Sequence, residues 1–250
     1  MASRGQGTGV GNEADLTGVV LRPVRGHHAF ETCVEQLATA IRLGAFPNGS
    51  SLPPERELAE RMGVSRATLR EAIAALRTAG MVRTTRGRGG GTVVDHAPVA
   101  PRRRALKNLE ERRPGLLDSL VFRRIVEPGA CHLAACRRLG EDQRHLLTTS
   151  LKEVAGAPDT ASYRQADSRL HLAIATVTES PLTVAAVTQC QADLHDMLNA
   201  IPVLDVNIEH SNRQHQAIVD AILTGAASRA RRVMESHCDD TAALLRGLLG

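Results

Sequence analysis

The chain has 250 residues, 42% of them apolar, and a net charge of +4 that is unevenly spread: residues 1–105 hold 15 Arg against 9 Asp/Glu, residues 106–250 hold 16 Lys/Arg against 18. That length suits one or two globular domains, and the basic first part suits a polyanionic partner. No apolar run approaches the ~18–20 residues of a bilayer span, no secretion signal opens the chain, and its five cysteines form no C-x-x-C pair, so a reduced, cytoplasmic protein is expected.

Residues 1–25 read as a Gly-rich tail without a packing pattern. "HHAFETCVEQLATAIRLGAF" places Phe30, Val34, Leu37 and Ile41 at helical spacing, with Gly44 as its cap. "PNGSSLPP" is turn chemistry. "ERELAERMG" predicts a short helix burying Leu58 and Met62 and ending at Gly63. "VSRATLREAIAALRTAG" predicts another, capped by Ser65, with Leu69, Ile73 and Leu76 facing a core. Two short strands around "RGRGGG" follow. "DHAPVAPRRRALKNLEERRPG" reads as a linker over 96–114. From 115 to 247 the pattern is helical, with breaks at Gly140, 156–159, 180–181, 201–206 and 224–228, which predicts about six helices in an antiparallel bundle. The fold class expected is mainly α, with a small strand-bearing first domain over 26–95.

Two short helices joined by "MGVS" form a helix-turn-helix pattern, and the hairpin after it makes a wing. Arg66 and Arg70 lie four apart at the start of the second helix, off its apolar stripe, where Arg can bond a guanine edge or a phosphate. Arg86 and Arg88 on a Gly-rich wing suit phosphate or the minor groove. A solvated basic surface is the competing reading of charge alone; the complete element order favours DNA binding.

"LGAFPNGSSLPPERELAERMGVSRATLREAIAALRTAGMV" resembles the winged helix-turn-helix of GntR-family bacterial transcription regulators, over residues 28–95. The resemblance implies that Arg56 contacts the DNA backbone, that Ser65, Arg66, Thr68 and Arg70 contact DNA from the recognition helix, and that Arg86 and Gly87 sit at the wing tip.

In the second part, Asp167 and His171 are four residues apart and share a helix face. His215 and His237 lie at equal distances from the turn 224–228, and so at one height in a helical hairpin. Three imidazoles and a carboxylate suit Zn²⁺, Ni²⁺ or Mn²⁺. Spacing alone leaves a surface ion pair as an equal alternative. "RRIVEPGACHLAA", "ADSRLHLAIA" and "RQHQAIVDAILTG" resemble segments of the FCD effector domain of FadR-type GntR regulators. That resemblance implies that Asp167, His171, His215 and His237 ligate a divalent metal, with Leu170 and Ser180 as departures from the usual pattern. Arg123, four before Glu127, reads first as half of a structural ion pair and second as a candidate grip for an acidic effector, with Asn207 and Asn212 as weaker pocket candidates. Cys238 points about 100° from His237 and is not expected to be a ligand.

The function expected is a DNA-binding regulator, a repressor, acting as a homodimer on an inverted-repeat operator and answering to a small organic acid. The alternative is a metal-dependent enzyme built on the bundle. Against it, the chain has no Glu-x-x-His or H-E-x-x-H pattern and no phosphate-binding loop.

Overall fold

The computed structural model describes residues 21, 23, 29–85, 91–95, 103–198 and 205–249; the side chains of 103–114, 161, 205–207 and 247–249 lie outside that description. Helix α1 (Ala29–Arg42) buries Cys33, Leu37, Ala40 and Ile41, one face of a 3.6-residue repeat. Helix α2 (Glu55–Met62) starts directly after Pro54, with Glu55 and Glu57 against the positive end of its dipole. It stops at Gly63, whose φ of 63° turns the chain left-handed, a conformation that glycine adopts without the Cβ penalty. Helix α3 (Arg66–Thr78) is capped by Ser65, whose hydroxyl accepts from the Thr68 N–H at 3.0 Å, and buries Leu69, Ala72, Ile73 and Leu76. Each of its fully buried leucines contributes about 1.5–3 kcal/mol by leaving water.

Strands β1 (Val82–Thr84) and β2 (Thr92–Val94) pair antiparallel, Val82 opposite Val94 and Thr84 opposite Thr92. The Leu52 N–H donates to Thr92 O at 2.8 Å, and Ser51 bridges Val93, so the turn before α2 lines the edge of the sheet. Thr85 N–H to Gly91 O, 2.9 Å, closes the hairpin. The wing tip, with Arg86, Gly87 and Arg88, lies outside the described residues.

The body is made, among the described residues, of six helices: α4 (Arg103–Cys136), α5 (Glu141–Ala155), α6 (Thr160–Thr176), α7 (Pro181–Leu198), α8 (Asp205–Leu223) and α9 (Ala227–Leu249). Helix α4 lies along α9 and α7, α8 packs on α9, and α5 and α7 pack on α6. Helix α6 is central. From Gln165 to Val177 all but Arg169 and Thr176 are buried, so it is enclosed on every side rather than on one stripe. Four of those enclosed residues are polar: Gln165, Asp167, Ser168 and His171.

The expected linker needs correction. Helix α4 begins at Arg103, inside the range 96–114, and continues through Pro114; residues 96–102 lie outside the described residues. Pro114 removes one backbone donor, but a helix of 34 residues keeps the bonds on either side, and "RRALKNLEE" is made of good helix formers.

Head and body touch where α1 ends. The Gln165 amide donates to Arg42 O at 3.5 Å, and the Arg42 guanidinium lies 3.9 Å from the Asp196 carboxylate. Gly44 (φ +72°) comes so near α6 that a Cβ there would stand 2.8 Å from Arg169 Nη1 and 3.0 Å from Gln165 Cβ.

Candidate functional site

The recognition helix presents Arg66 and Arg70 at its exposed start, as its apolar stripe requires. Arg70 is also tied across the turn: its Nε donates to Glu55 Oε2 of α2 at 2.6 Å. Ser65 serves as the N-cap, and its Oγ lies 2.8 Å from Thr68 Oγ1, so both hydroxyls at that end hold the helix start. Arg56 is exposed and reaches Glu60 at 3.4 Å. Arg77 Nη1 donates to Thr84 Oγ1 at 3.1 Å, fastening α3 to the wing. Arg56, Arg66 and Arg70 are thus all exposed on the head.

In the body, α6 supplies Asp167 and His171, α8 supplies His215, and α9 supplies His237. All four are buried. The ring centroids of the three histidines are 5.6 Å (His171–His215), 5.3 Å (His171–His237) and 4.8 Å (His215–His237) apart. Each ring offers a nitrogen within 4.8 Å of the other two. Asp167 stands beside this triad: its Oδ1 is 3.3 Å from His215 Nε2 and its Oδ2 is 3.9 Å from His171 Nε2.

Burial holds the His215 pKa down to about 4; nearby Asp167 opposes this, while His171 and Arg123 reinforce it. Burial, then His215, pushes His237 well below the usual imidazole range. Both are therefore neutral near pH 7, the form that carries a lone pair. Neither ring nitrogen of His215 makes a hydrogen bond, although the side chain is fully enclosed. A buried polar atom without a partner is costly, and a cation among three imidazoles and a carboxylate removes that cost. The triad can hold a metal ion.

Behind His171 lies a second polar layer. Glu127 Oε2 is 2.9 Å from His171 Nδ1 and accepts from Arg123 Nε at 3.0 Å; Glu127 Oε1 accepts from Gln191 Nε2 at 2.6 Å. Burial works against the Glu127 charge, but Arg123, His171 and Gln191 more than offset it and bring its pKa down to about 2. Burial likewise opposes the Arg123 charge. Cys238, pushed up to about 12, is uncharged near neutrality, which leaves Glu127 and Asp167 to keep the guanidinium cationic. Arg123 is 1% exposed, yet its Nη1 and Nη2 make no hydrogen bond. These are two buried charged donors without a hydrogen-bond partner among the described residues.

The structure thus brings together Asp167, His171, His215, His237 and Arg123. Asn212 Oδ1 is buried and without a partner; the Asn207 side chain lies outside the described residues. Cys238 stands 3.9 Å from Glu127 Oε2 and outside the triad, as its angular offset from His237 requires. Sequence reasoning does not single out Gln191 or Gln214. The Gln214 Oε1 lies 3.1 Å from His237 Nδ1, across from the neighbouring helix. No spacing rule within one helix exposes such a contact.

Among the described residues, no helix is long and apolar enough to cross a membrane. Residues 30–94 match the family described as bacterial regulatory proteins, gntR family, and residues 118–240 match the FCD domain. A Mycobacterium gastri protein provisionally named HTH-type transcriptional regulator RmpR is 31% identical, over 83% of this chain and 76% of its own. An Escherichia coli K12 protein provisionally named L-lactate dehydrogenase operon regulatory protein is 33% identical, over 76% of this chain and 75% of its own. The transcriptional repressor NanR of Cronobacter sakazakii is 28% identical over 91% and 89%. Among solved structures, E. coli McbR/YncC shares the fold with a TM-score of 0.50 and 17% identity, over 89% of this chain and 99% of that one. The three sequence relatives carry the names of regulators. With a helix-turn-helix head and an FCD body matched in sequence, the chain belongs to the GntR family of bacterial transcription regulators.

Proposed function

We propose that this regulator is a homodimeric repressor whose hold on an inverted-repeat operator is released by a small carboxylate effector bound at a metal site in the body. The observation that carries this reading is the placement of Arg123, with two unpartnered guanidinium nitrogens, behind the buried Asp167/His171/His215/His237 set. Zn²⁺ suits those donors best, and Ni²⁺ or Mn²⁺ accept the same set at higher coordination. Asp167, His171, His215 and His237 would hold the metal, and one that takes more than four ligands would leave coordination positions for a carboxylate. Arg123 supplies a charge-assisted grip on the same anion, and burial makes both interactions stronger than in water. The name of the NanR relative supports repression, and the E. coli relative's tie to an L-lactate dehydrogenase operon makes small hydroxy acids the first compounds to test.

Two heads are needed to select one genomic site, and a two-fold axis brings identical surfaces together. Val121, Phe122, Ile125 and Leu133 leave an exposed apolar stripe on α4, Ile125 at 69%. A soluble monomer has little reason to keep such a stripe uncovered. The same stripe from a second copy, laid on it, completes the reading.

The test is operator binding by purified protein, using DNA selected from a random pool, with and without Zn²⁺ and hydroxy acids. Release of DNA that needs both metal and acid is the expected result. Release by neither, in a protein that binds DNA specifically, overturns it.

A further inference from the structure

The three candidate ligand histidines are not equivalent in what holds them. His237 Nδ1 lies 3.1 Å from Gln214 Oε1. The other end of that amide, Gln214 Nε2, donates to Asp240 Oδ2 at 2.7 Å, and exposed His210 places its Nε2 3.1 Å from the same oxygen. A carboxylate only accepts hydrogen bonds, so the amide NH₂ must face Asp240 and the amide oxygen must face His237. The ring nitrogen opposite that oxygen must then carry the proton. A neutral imidazole carries one ring proton, so Nε2 of His237 keeps its lone pair. Were the amide reversed, its oxygen would meet the Asp240 carboxylate, and its NH₂ would demand the lone pair from His237 Nδ1. The proton would move to Nε2 and close that nitrogen to a metal.

We propose that Gln214, oriented by Asp240 at the protein surface, is the positioning residue that fixes the His237 tautomer and holds its Nε2 open as a metal donor. Glu127 stands 2.9 Å from His171 Nδ1, an ion-pair approach without hydrogen-bond geometry. Both nitrogens of His215 likewise lack a hydrogen bond, with Asp167 Oδ1 3.3 Å from Nε2. Among the three described imidazoles, His237 is the one whose ring a hydrogen bond orients. Outer partners of this kind commonly change metal affinity by 10–100-fold. The consequence for the metal rests on the metal reading above; the tautomer assignment does not.

Two measurements on the full chain separate them. Zn²⁺ affinity, by chelator competition, is expected to fall about 10–100-fold in Gln214→Leu. Asp240→Asn, at an exposed position, is expected to lower it by a smaller factor, because an amide there tolerates the reversed Gln214. Gln216→Leu, whose amide bonds Asp220 on the same helix, should leave it unchanged. Nitrogen-15 NMR of metal-free protein at neutral pH reads the tautomer directly. Wild type should show His237 protonated at Nδ1, and both variants should show a mixture. Wild-type Zn²⁺ affinity and an unchanged tautomer in both variants would overturn the proposal. A wild type that takes up no Zn²⁺, but loses the tautomer preference in the variants, would remove the metal reading while upholding the role of Gln214.

Discussion

Nδ1 of His171 lies 2.9 Å from Oε2 of Glu127, a carboxylate that already accepts from Arg123 and Gln191 and is 2% exposed. One acid thereby neutralises a buried guanidinium and stands against a candidate ligand. Removing it leaves the Arg123 charge inside the bundle with only Asp167 nearby. Glu127→Ala is expected to destabilise the protein by about 3–5 kcal/mol, the usual cost of orphaning half of a buried pair. Urea unfolding followed by circular dichroism measures it; a loss below about 1 kcal/mol would show that water reaches Arg123 freely.

Arg123→Met separates the effector from the metal. It keeps the stem and removes the charge, and because it orphans Glu127 it should itself cost about 3–5 kcal/mol, so binding is read on the folded variant. The expected outcome is that Zn²⁺ still binds while release of DNA by a carboxylate is lost. Calorimetric titration with the acid, before and after Zn²⁺, gives the two affinities separately. Full release of DNA in this variant would remove Arg123 from the effector site.

Metal should act on stability by linkage. A ligand that binds only the folded state adds about 2.7 kcal/mol at a hundred times its dissociation constant. Zn²⁺ is therefore expected to raise Tm and a chelator to lower it, and His215→Ala should abolish the difference. His215 contributes through a ring without hydrogen bonds, so its loss tests the metal more cleanly than loss of His237, which bonds Gln214. An equal Tm rise in His215→Ala would place the metal elsewhere.

On the head, Arg66→Ala is expected to cost about 1–3 kcal/mol of operator binding and to relax sequence preference, with the body unchanged. Arg70 is held by Glu55 at 2.6 Å, so its role depends on that pair. If Glu55 aims Arg70 at the groove, Glu55→Gln lowers specificity; if Glu55 withholds it, the same change raises affinity. Fluorescence anisotropy on matched and scrambled duplexes separates these outcomes, and unchanged binding in Arg66→Ala and Arg70→Ala together would move the DNA contact off this helix.

The head is read from sequence almost residue by residue, because its signals are local. Ser65 caps, Gly63 turns, and Leu69, Ile73 and Leu76 face inward, each by rules that act within one or two turns. Four ligand candidates in the body were legible for a similar reason. Asp167 and His171 share a face of one helix, and His215 and His237 share a height in one hairpin. The glutamine contacts between helices left no such trace. Gln191 reaches Glu127 across 64 positions and Gln214 reaches His237 across 23, and nothing in "VTQCQAD" or "SNRQHQ" marks those glutamines from their neighbours. Pro114 misled for the opposite reason: a local breaker signal was outweighed by the long helix around it.

Helix α6 also offers a route from the site to the head. Asp167 and His171 face the histidines, while Gln165 and Arg169, displaced by two positions, face Arg42 and Gly44 at the end of α1. A ligand that draws Asp167 and His171 toward α8 and α9 must move the opposite side of the same helix against the head. Such a ligand shifts operator binding only through its different affinity for the two arrangements, and coupling of about 1–3 kcal/mol changes it some 5- to 150-fold. Gly44→Ala disturbs this contact twice: the left-handed backbone costs an alanine about 1–2 kcal/mol, and its Cβ meets Gln165 Cβ at 3.0 Å. The milder Arg42→Ala removes a pair 3.9 Å long and partly exposed, with little effect on stability. Both variants are expected to keep metal binding and basal DNA binding while the fold-change in operator affinity on adding effector shrinks. By reciprocity, operator DNA should weaken effector binding by the same reduced factor. Operator affinities measured with and without effector decide it; an undiminished response in both variants would mean that α6 does not carry the signal through this contact.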